Sequence, residues 1–81
     1  MSFSISHNVF MIKKEELLEK IAINIRTARF QQKLSQEELA EKSGLSVNFI
    51  SNIENAKQDV RLLSLVSVAN ALNKELYEMF E

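Results

Sequence analysis

The side chains that could carry catalysis are few in this 81-residue chain. The only histidine, His7, lies near the N-terminus, where a lone histidine is more often solvated than a ligand, and there is no cysteine to pair with it. Glu37 and Glu38 are adjacent, so on a helix they point in different directions rather than at one substrate. A glycine-rich phosphate loop is ruled out, because Gly44 is the only glycine. These residue types argue against an enzyme, and we expect neither a cofactor nor a metal.

Amide and hydroxyl side chains are concentrated instead between residues 46 and 55. A helix over this stretch would turn Phe49, Ile50 and Ile53 toward a core. Its outer side would then carry five residues: Ser46, Val47, Asn48, Ser51 and Asn52. An asparagine amide can bind adenine through N6 and N7, and valine can pack on a thymine methyl group. Because the stretch lacks arginine and lysine, the commonest partners of guanine, its chemistry favours A·T pairs.

Two short helices joined by a tight turn must position this stretch. The apolar spacing on either side of Gly44 predicts their bounds: Gln36–Ser43 and Val47–Asn55. Gly44 suits the position after the first helix, where a positive φ is needed. Ser46 is then the N-cap of the second helix, and Ser35 with Glu38 forms a capping box before the first. Apolar periodicity predicts three further helices: Lys13–Lys33, one starting over Arg61–Asn70, and Lys74–Glu81 with Leu76 and Phe80 inward.

The stretch from Gln36 to Asn55 resembles the helix-turn-helix of the phage-repressor (Cro/Xre-like) family. The resemblance extends over about residues 21–80 and is carried by these segments: Ile25–Arg29, Leu34–Ala40, Ile50–Glu54, Leu65–Leu72 and Leu76–Phe80. It implies an all-α, five-helix, lambda-repressor-like DNA-binding domain over residues 13–81. Residues 1–12 would form an N-terminal extension.

The resemblance implies a sequence-specific transcriptional regulator that binds double-stranded DNA, with the helix Val47–Asn55 in the major groove. One such helix reads few base pairs, so the family solution is a homodimer on a palindromic operator. The resemblance also implies a salt bridge between Arg29 and Glu54, which would fix the recognition helix. Phosphate contacts are expected from residues around that helix: Gln36, Asn55, Lys57 and Arg61.

The dimer interface is expected on an apolar face that the family usually keeps polar. Leu63 and Val66 lie there, with Tyr77 and Met79 from the last helix as further candidates. It is equally good an interpretation that these residues complete the core of one subunit. Ile23 and Phe30 lie on a second apolar face of the first helix, which the N-terminal segment or a partner would cover.

The kind of regulator stays open between a restriction–modification controller protein and a small phage-type repressor. The chain departs from the family at Ala56, where glycine is usual, and we expect Asn55 to take the left-handed conformation instead. Net charge is −1, which does not favour DNA binding. An antitoxin or other protein-interaction module with this fold is therefore the alternative.

Hydropathy and cysteine content indicate where in the cell the protein acts. The longest apolar run is too short to cross a membrane, and the N-terminus lacks the pattern of a signal peptide. The absence of cysteine suits a reducing cytoplasm, where a regulator would act on the nucleoid. Without a sensing domain, no small-molecule ligand is expected.

Overall fold

A computed structural model describes residues 12–81, which form four α-helices and a closing 3-10 helix. Their bounds are α1 (Lys14–Gln31), α2 (Gln36–Ser43), α3 (Val47–Glu54), α4 (Leu62–Ala71) and the 3-10 helix (Leu76–Phe80). Within this part of the chain no residue is in a β-strand, which agrees with the predicted all-α class. None of these helices is long and apolar enough to cross a membrane.

The fifth helix predicted over Lys74–Glu81 is present only in part, as the shorter 3-10 helix Leu76–Phe80. The backbone N–H of Glu78 donates to the carbonyl of Glu75, three residues earlier, over 3.0 Å. In a 3-10 helix residues three apart share a face, so Met79 follows Leu76 inward. Met79 is buried, whereas Phe80, the predicted inward residue, is 37% exposed. Burial also removes Met79 from the candidate dimer surface.

One apolar core holds the helices together. Helix α1 packs against α3 and the 3-10 helix, and α2 packs against α3 and α4. The largest fully buried side chains come from all five elements: Ile25, Leu39, Ile50, Val68, Leu72 and Met79. One amide of α1 and one at its C-cap also hold the C-terminal part, since Asn24 donates to the Met79 carbonyl over 2.9 Å and Gln32 to the Leu72 carbonyl over 2.7 Å.

Local capping sets where α2 and α3 begin. The hydroxyl of Ser35 accepts from the backbone N–H of Glu38 over 3.0 Å, and the Glu38 carboxylate accepts from the backbone N–H of Ser35 over 2.8 Å. The hydroxyl of Ser46 accepts from the backbone N–H of Phe49 over 3.0 Å. The predicted capping box and the predicted N-cap are therefore confirmed.

All four α-helices end in the same hydrogen-bonding motif. After each helix one residue has a positive φ, and the N–H groups of that residue and the next donate back to carbonyls of the last turn. The residues and their φ angles are Lys33 at 58°, Gly44 at 72°, Ala56 at 55° and Asn73 at 57°. The predicted role of Gly44 is confirmed, and the other three positions use residues with a Cβ.

The left-handed residue after α3 is Ala56, so the prediction that Asn55 would take this conformation was wrong. Asn55 has a φ of −101° and completes the last turn. The Lys57 N–H donates to the Asn52 carbonyl over 2.9 Å, and the Ala56 N–H donates to the Ile53 carbonyl over 3.0 Å. This pair of bonds requires the positive φ at Ala56, one residue later than predicted.

Candidate nucleic-acid interface

Helix α3 has a buried apolar side and a polar outer side. Ile50, Ile53 and Glu54 are buried. Asn48, Asn52 and Asn55 follow each other at spacings of four and three residues, which places them along one stripe of the helix. Asn48 and Asn55 are exposed and Asn52 is half-buried. Asn48 and Asn52 are two of the five predicted base-contacting residues. The other three lie nearby: Ser46 and Val47, both exposed, and Ser51, half-buried.

The buried side of α3 is held to α1 by an ion pair between Arg29 and Glu54. The guanidinium donates to both carboxylate oxygens, from Nε to Oε2 over 2.6 Å and from Nη2 to Oε1 over 2.9 Å. Nη1 donates to the carbonyl of Leu34 over 2.9 Å, and the ring of Phe30 lies 4.6 Å from the guanidinium carbon. The hydrogen bond with Glu54 raises the pKa of Arg29, against the opposing effect of burial. The geometry that the resemblance implies is therefore present.

A second arginine of α1 supports the same end of α3. Nη1 of Arg26 donates to the backbone carbonyl of Glu54 over 2.9 Å. This bond satisfies one of the carbonyls that a helix C-terminus leaves without a partner. Arg26 was not among the predicted site residues. Its spacing of three residues from Arg29 puts both side chains on one face of α1, which was the available signal.

Gln36 begins α2, where it was predicted to meet a phosphate. Its Nε2 donates to Oε1 of Glu54 over 3.1 Å, so the amide takes part in the Arg29–Glu54 network. The side chain is half-buried. The positive end of the α2 dipole and the second N–H of Gln36 Nε2 are the groups that this position can offer to an anion.

The other predicted phosphate contacts follow the outer end of α3. Asn55, Lys57 and Arg61 are exposed. The Asn55 amide donates to the Ser51 carbonyl over 2.9 Å, while Arg61 is the N-cap residue of α4. Lys57 thus lies in the loop after α3, and Arg61 lies where that loop enters α4.

The loop after α3 adds Gln58, which was not among the predicted site residues. Nδ2 of Asn52 donates to Oε1 of Gln58 over 3.1 Å. The side chains are six positions apart and meet because the turn at Ala56 reverses the chain. No periodicity in the sequence signals such a contact, since it depends on the path of one loop.

Several large apolar side chains of the described residues are solvent-exposed. Leu63 is 77% exposed and Tyr77 62%, while Val66 is half-buried. Leu62 extends the α4 surface at 60% exposed. On α1, Ile23 and Phe30 are 44% and 62% exposed. The predicted interface residues are therefore available for contact, apart from Met79.

Most acidic side chains of residues 12–81 are solvent-exposed, and Glu54 is the one that is buried. Within residues 12–81 no group of three histidine or acidic side chains is placed to hold a metal ion. Glu38 is the one whose titration is clearly changed: hydrogen bonds from the Ser35 backbone N–H and the Ser35 hydroxyl lower its pKa. Its carboxylate acts as a helix cap.

Known proteins share this architecture. The protein-family model for the helix-turn-helix matches residues 25–79. Control protein C.SmaI of Serratia marcescens is 41% identical over 58 residues, which cover 72% of this chain and 69% of that protein. The HTH-type transcriptional regulator y4dL of Sinorhizobium fredii, an uncharacterized protein, is 47% identical over 58 residues, but this chain spans only 30% of its length.

Among solved structures, the restriction-modification controller protein C.AhdI of Aeromonas hydrophila superposes with a TM-score of 0.75 at 35% identity. The match covers 78% of this chain and 96% of that one. Family model, relatives and structure agree with the resemblance read from the sequence. The chain belongs to the helix-turn-helix family of transcriptional regulators.

Proposed function

We propose that this regulator binds double-stranded DNA as a homodimer on a palindromic operator, with α3 as the recognition helix in the major groove. The observation that carries the proposal is the position of α3. Its apolar side is buried, its far end is fixed by Arg29, and its polar stripe is left outward. In this role residues 13–81 are the DNA-binding domain and residues 1–12 an extension, and the protein acts on the nucleoid in the cytoplasm.

The base contacts are assigned to the outer side of α3. Asn48 and Asn52 can each bind adenine through one N–H and one oxygen, and Val47 can pack on a thymine methyl group. Ser46 and Ser51 supply hydroxyls that bind either kind of base pair. Because no cation lies on this helix, the half-site is expected to be rich in A·T pairs.

Phosphate contacts are assigned to groups at both ends of the reading surface. Lys57 and Arg61 would neutralise phosphates beyond the C-terminal end of α3, and the second N–H of the Asn55 amide would add a contact there. Gln36 and the N-terminus of α2 would meet the backbone on the other side. These contacts position the protein without reading sequence, and they make the affinity strongly dependent on salt.

The dimer contact is assigned to the exposed apolar surface of α4 and the 3-10 helix. Leu63 and Tyr77 are too exposed to stabilise one subunit by burial. A two-fold contact of this surface with itself would bury them in both subunits. The recognition helices would then lie about 34 Å apart, one turn of DNA.

The relatives support one biological setting. C.SmaI is named a control protein and C.AhdI a restriction-modification controller protein. We therefore assign the chain to control of a restriction–modification operon. A small phage-type repressor is the other setting compatible with its residues.

Selection of binding sites from a random duplex library at near-physiological salt tests the proposed function. The expected product is a palindrome with A·T-rich half-sites about one helical turn apart. If no sequence is enriched and binding is weak even at low salt, the role of α3 as a recognition helix is contradicted.

The exposure of Ile23 and Phe30 favours a second candidate, a protein-interaction module such as an antitoxin. These side chains lie on α1 and keep 44% and 62% of their surface exposed within residues 12–81. The other residues of the predicted apolar patch, Phe3, Ile5, Val9 and Phe10, lie outside the described residues. Failure of the site selection, together with tight binding to a protein that Phe30→Ser abolishes, would favour this candidate.

A further inference from the structure

The contact between Asn52 and Gln58 brings a loop residue to the reading surface of α3. Asn52 Nδ2 donates to Gln58 Oε1 over 3.1 Å, and the Lys57 N–H donates to the Asn52 backbone carbonyl over 2.9 Å. Both amide side chains are half-buried. The loop is therefore fixed to the helix at the residue that precedes Gln58, and the two amides are held side by side.

This hydrogen bond leaves Asn52 with a defined set of groups. A side-chain amide has two N–H donors and one oxygen acceptor. Gln58 takes one of the two donors, so one N–H and the oxygen remain. Adenine presents N7 as an acceptor and N6 as a donor in the major groove, which requires that same combination.

In the structure the Gln58 amide presents its oxygen to Asn52, and this arrangement turns Nδ2 of Asn52 toward the loop. The Gln58 oxygen can accept only from Nδ2, so the Asn52 oxygen is directed elsewhere. A cation at position 58 would reverse this choice, because it would attract the Asn52 oxygen. Two donors would then remain for the DNA, a combination that suits the N7 and O6 acceptors of guanine.

We propose that Gln58 is a positioning residue that orients the Asn52 amide for adenine and thereby sets the specificity of one operator position. The inference rests on the proposed function, because it requires α3 in the major groove. It assigns part of the specificity to a residue outside the recognition helix.

Site selection with variants of the full chain tests this inference. With the wild type, one half-site position should select adenine, and Asn52→Ala should relax that position. Gln58→Met, which removes the acceptor, should lower the preference for adenine there by about tenfold and leave the other positions unchanged. Gln58→Glu keeps an acceptor for Nδ2, so it should keep the adenine preference even though its charge weakens binding overall.

Gln58→Lys provides a second variant with a change of specificity rather than a loss. It should shift the same position from adenine toward guanine. In an Asn52→Ala background it should cause no such shift, which separates reorientation of Asn52 from a direct contact of the new lysine. Thermal unfolding of each variant checks that the fold is retained.

The outcomes separate failure of this inference from failure of the proposed function. A wild type that enriches no sequence contradicts both. An enriched palindrome in which Asn52→Ala relaxes one position but Gln58→Met does not would overturn the inference alone. A uniform loss at all positions with Gln58→Met, or a guanine preference that persists without Asn52, would overturn it too.

Discussion

Arg29 of α1 and Glu54 of α3 are joined by two parallel hydrogen bonds of 2.6 and 2.9 Å, and both side chains are buried. Glu54 is one residue before the end of the polar stripe, so this pair fixes the helix that we assign to the major groove. Arg26 holds the carbonyl of the same residue. The recognition surface is thus anchored from α1 through one position.

Removal of one partner of this pair should be costly. Arg29→Met leaves the Glu54 carboxylate buried with Gln36 as its remaining side-chain donor, and we expect a loss of about 3–5 kcal/mol in the free energy of unfolding. The double variant Arg29→Met/Glu54→Met should recover part of that loss, because no charge is then left buried. Urea unfolding measures both.

A matched control comes from an exposed ion pair that also involves a cation of α1. Lys14 and Asp59 lie 3.1 Å apart, but both side chains are largely solvent-exposed. Lys14→Met should change the free energy of unfolding by less than about 1 kcal/mol. Equal losses for Arg29→Met and Lys14→Met would show that burial does not determine the contribution of the Arg29 pair.

Ala56 should be replaceable by glycine with a gain in stability. Its φ of 55° is unfavourable for a residue with a Cβ, and glycine removes this strain. After the entropy cost of glycine in the unfolded chain, Ala56→Gly should stabilise by about 0.5–1 kcal/mol. Gly44→Ala, at a φ of 72°, should destabilise by a similar amount although no atom would clash with the new Cβ. Thermal unfolding of the two variants should shift in opposite directions, and a destabilised Ala56→Gly would contradict this explanation.

The capping box makes the stability of α2 dependent on pH. The pKa of Glu38 is lowered in the folded state, so its ionised form stabilises the fold above its ordinary pKa of 4.5. This contribution is lost as the pH falls through the folded-state pKa. Glu38→Gln should therefore lower the unfolding temperature at pH 7 and have a much smaller effect near pH 3. Glu41→Gln, on the same helix but outside the capping box, is the control, and a Glu38→Gln effect independent of pH would exclude this mechanism.

The apolar surface of α4 should control assembly. Leu63→Glu adds a charge at a residue that is 77% exposed, so the subunit should stay folded while the dimer is lost. Sedimentation should detect monomers at micromolar concentration, and operator affinity should fall at least tenfold. Gln31→Glu adds the same charge at an exposed position of α1 and should leave the dimer intact. A Leu63→Glu variant that remains dimeric at micromolar concentration would remove this surface from the interface.

Local signals made much of the fold predictable from the sequence. Gly44, the N-cap Ser46 and the capping box of Ser35 with Glu38 act within one turn of chain, so residue type and spacing were sufficient. The spacing of apolar residues gave the bounds of α2 without error. The family resemblance, now confirmed by the match over residues 25–79, supplied the pairing of Arg29 with Glu54 in advance.

The remaining errors and omissions have physical causes. Asn55 and Ala56 differ in tolerance of a positive φ, but the hydrogen bonds that end α3 decide which of them adopts it. Five residues were too few to distinguish a 3-10 helix from an α-helix. For this reason Phe80 was predicted to face the core, where the structure has Met79. Contacts such as Asn52–Gln58 depend on a loop path that periodicity does not describe.

The most direct test of the account is the binding of the selected operator when its half-sites are moved apart. Insertion of five base pairs at the centre rotates one half-site by about half a turn of DNA, to the other side of the duplex. For a dimer with two recognition helices one turn apart, we predict a complex of two chains per duplex and a loss of affinity of at least tenfold on insertion. An unchanged affinity with the displaced half-site, measured by fluorescence anisotropy at near-physiological salt, would contradict the claim that a homodimer binds both half-sites of the palindrome.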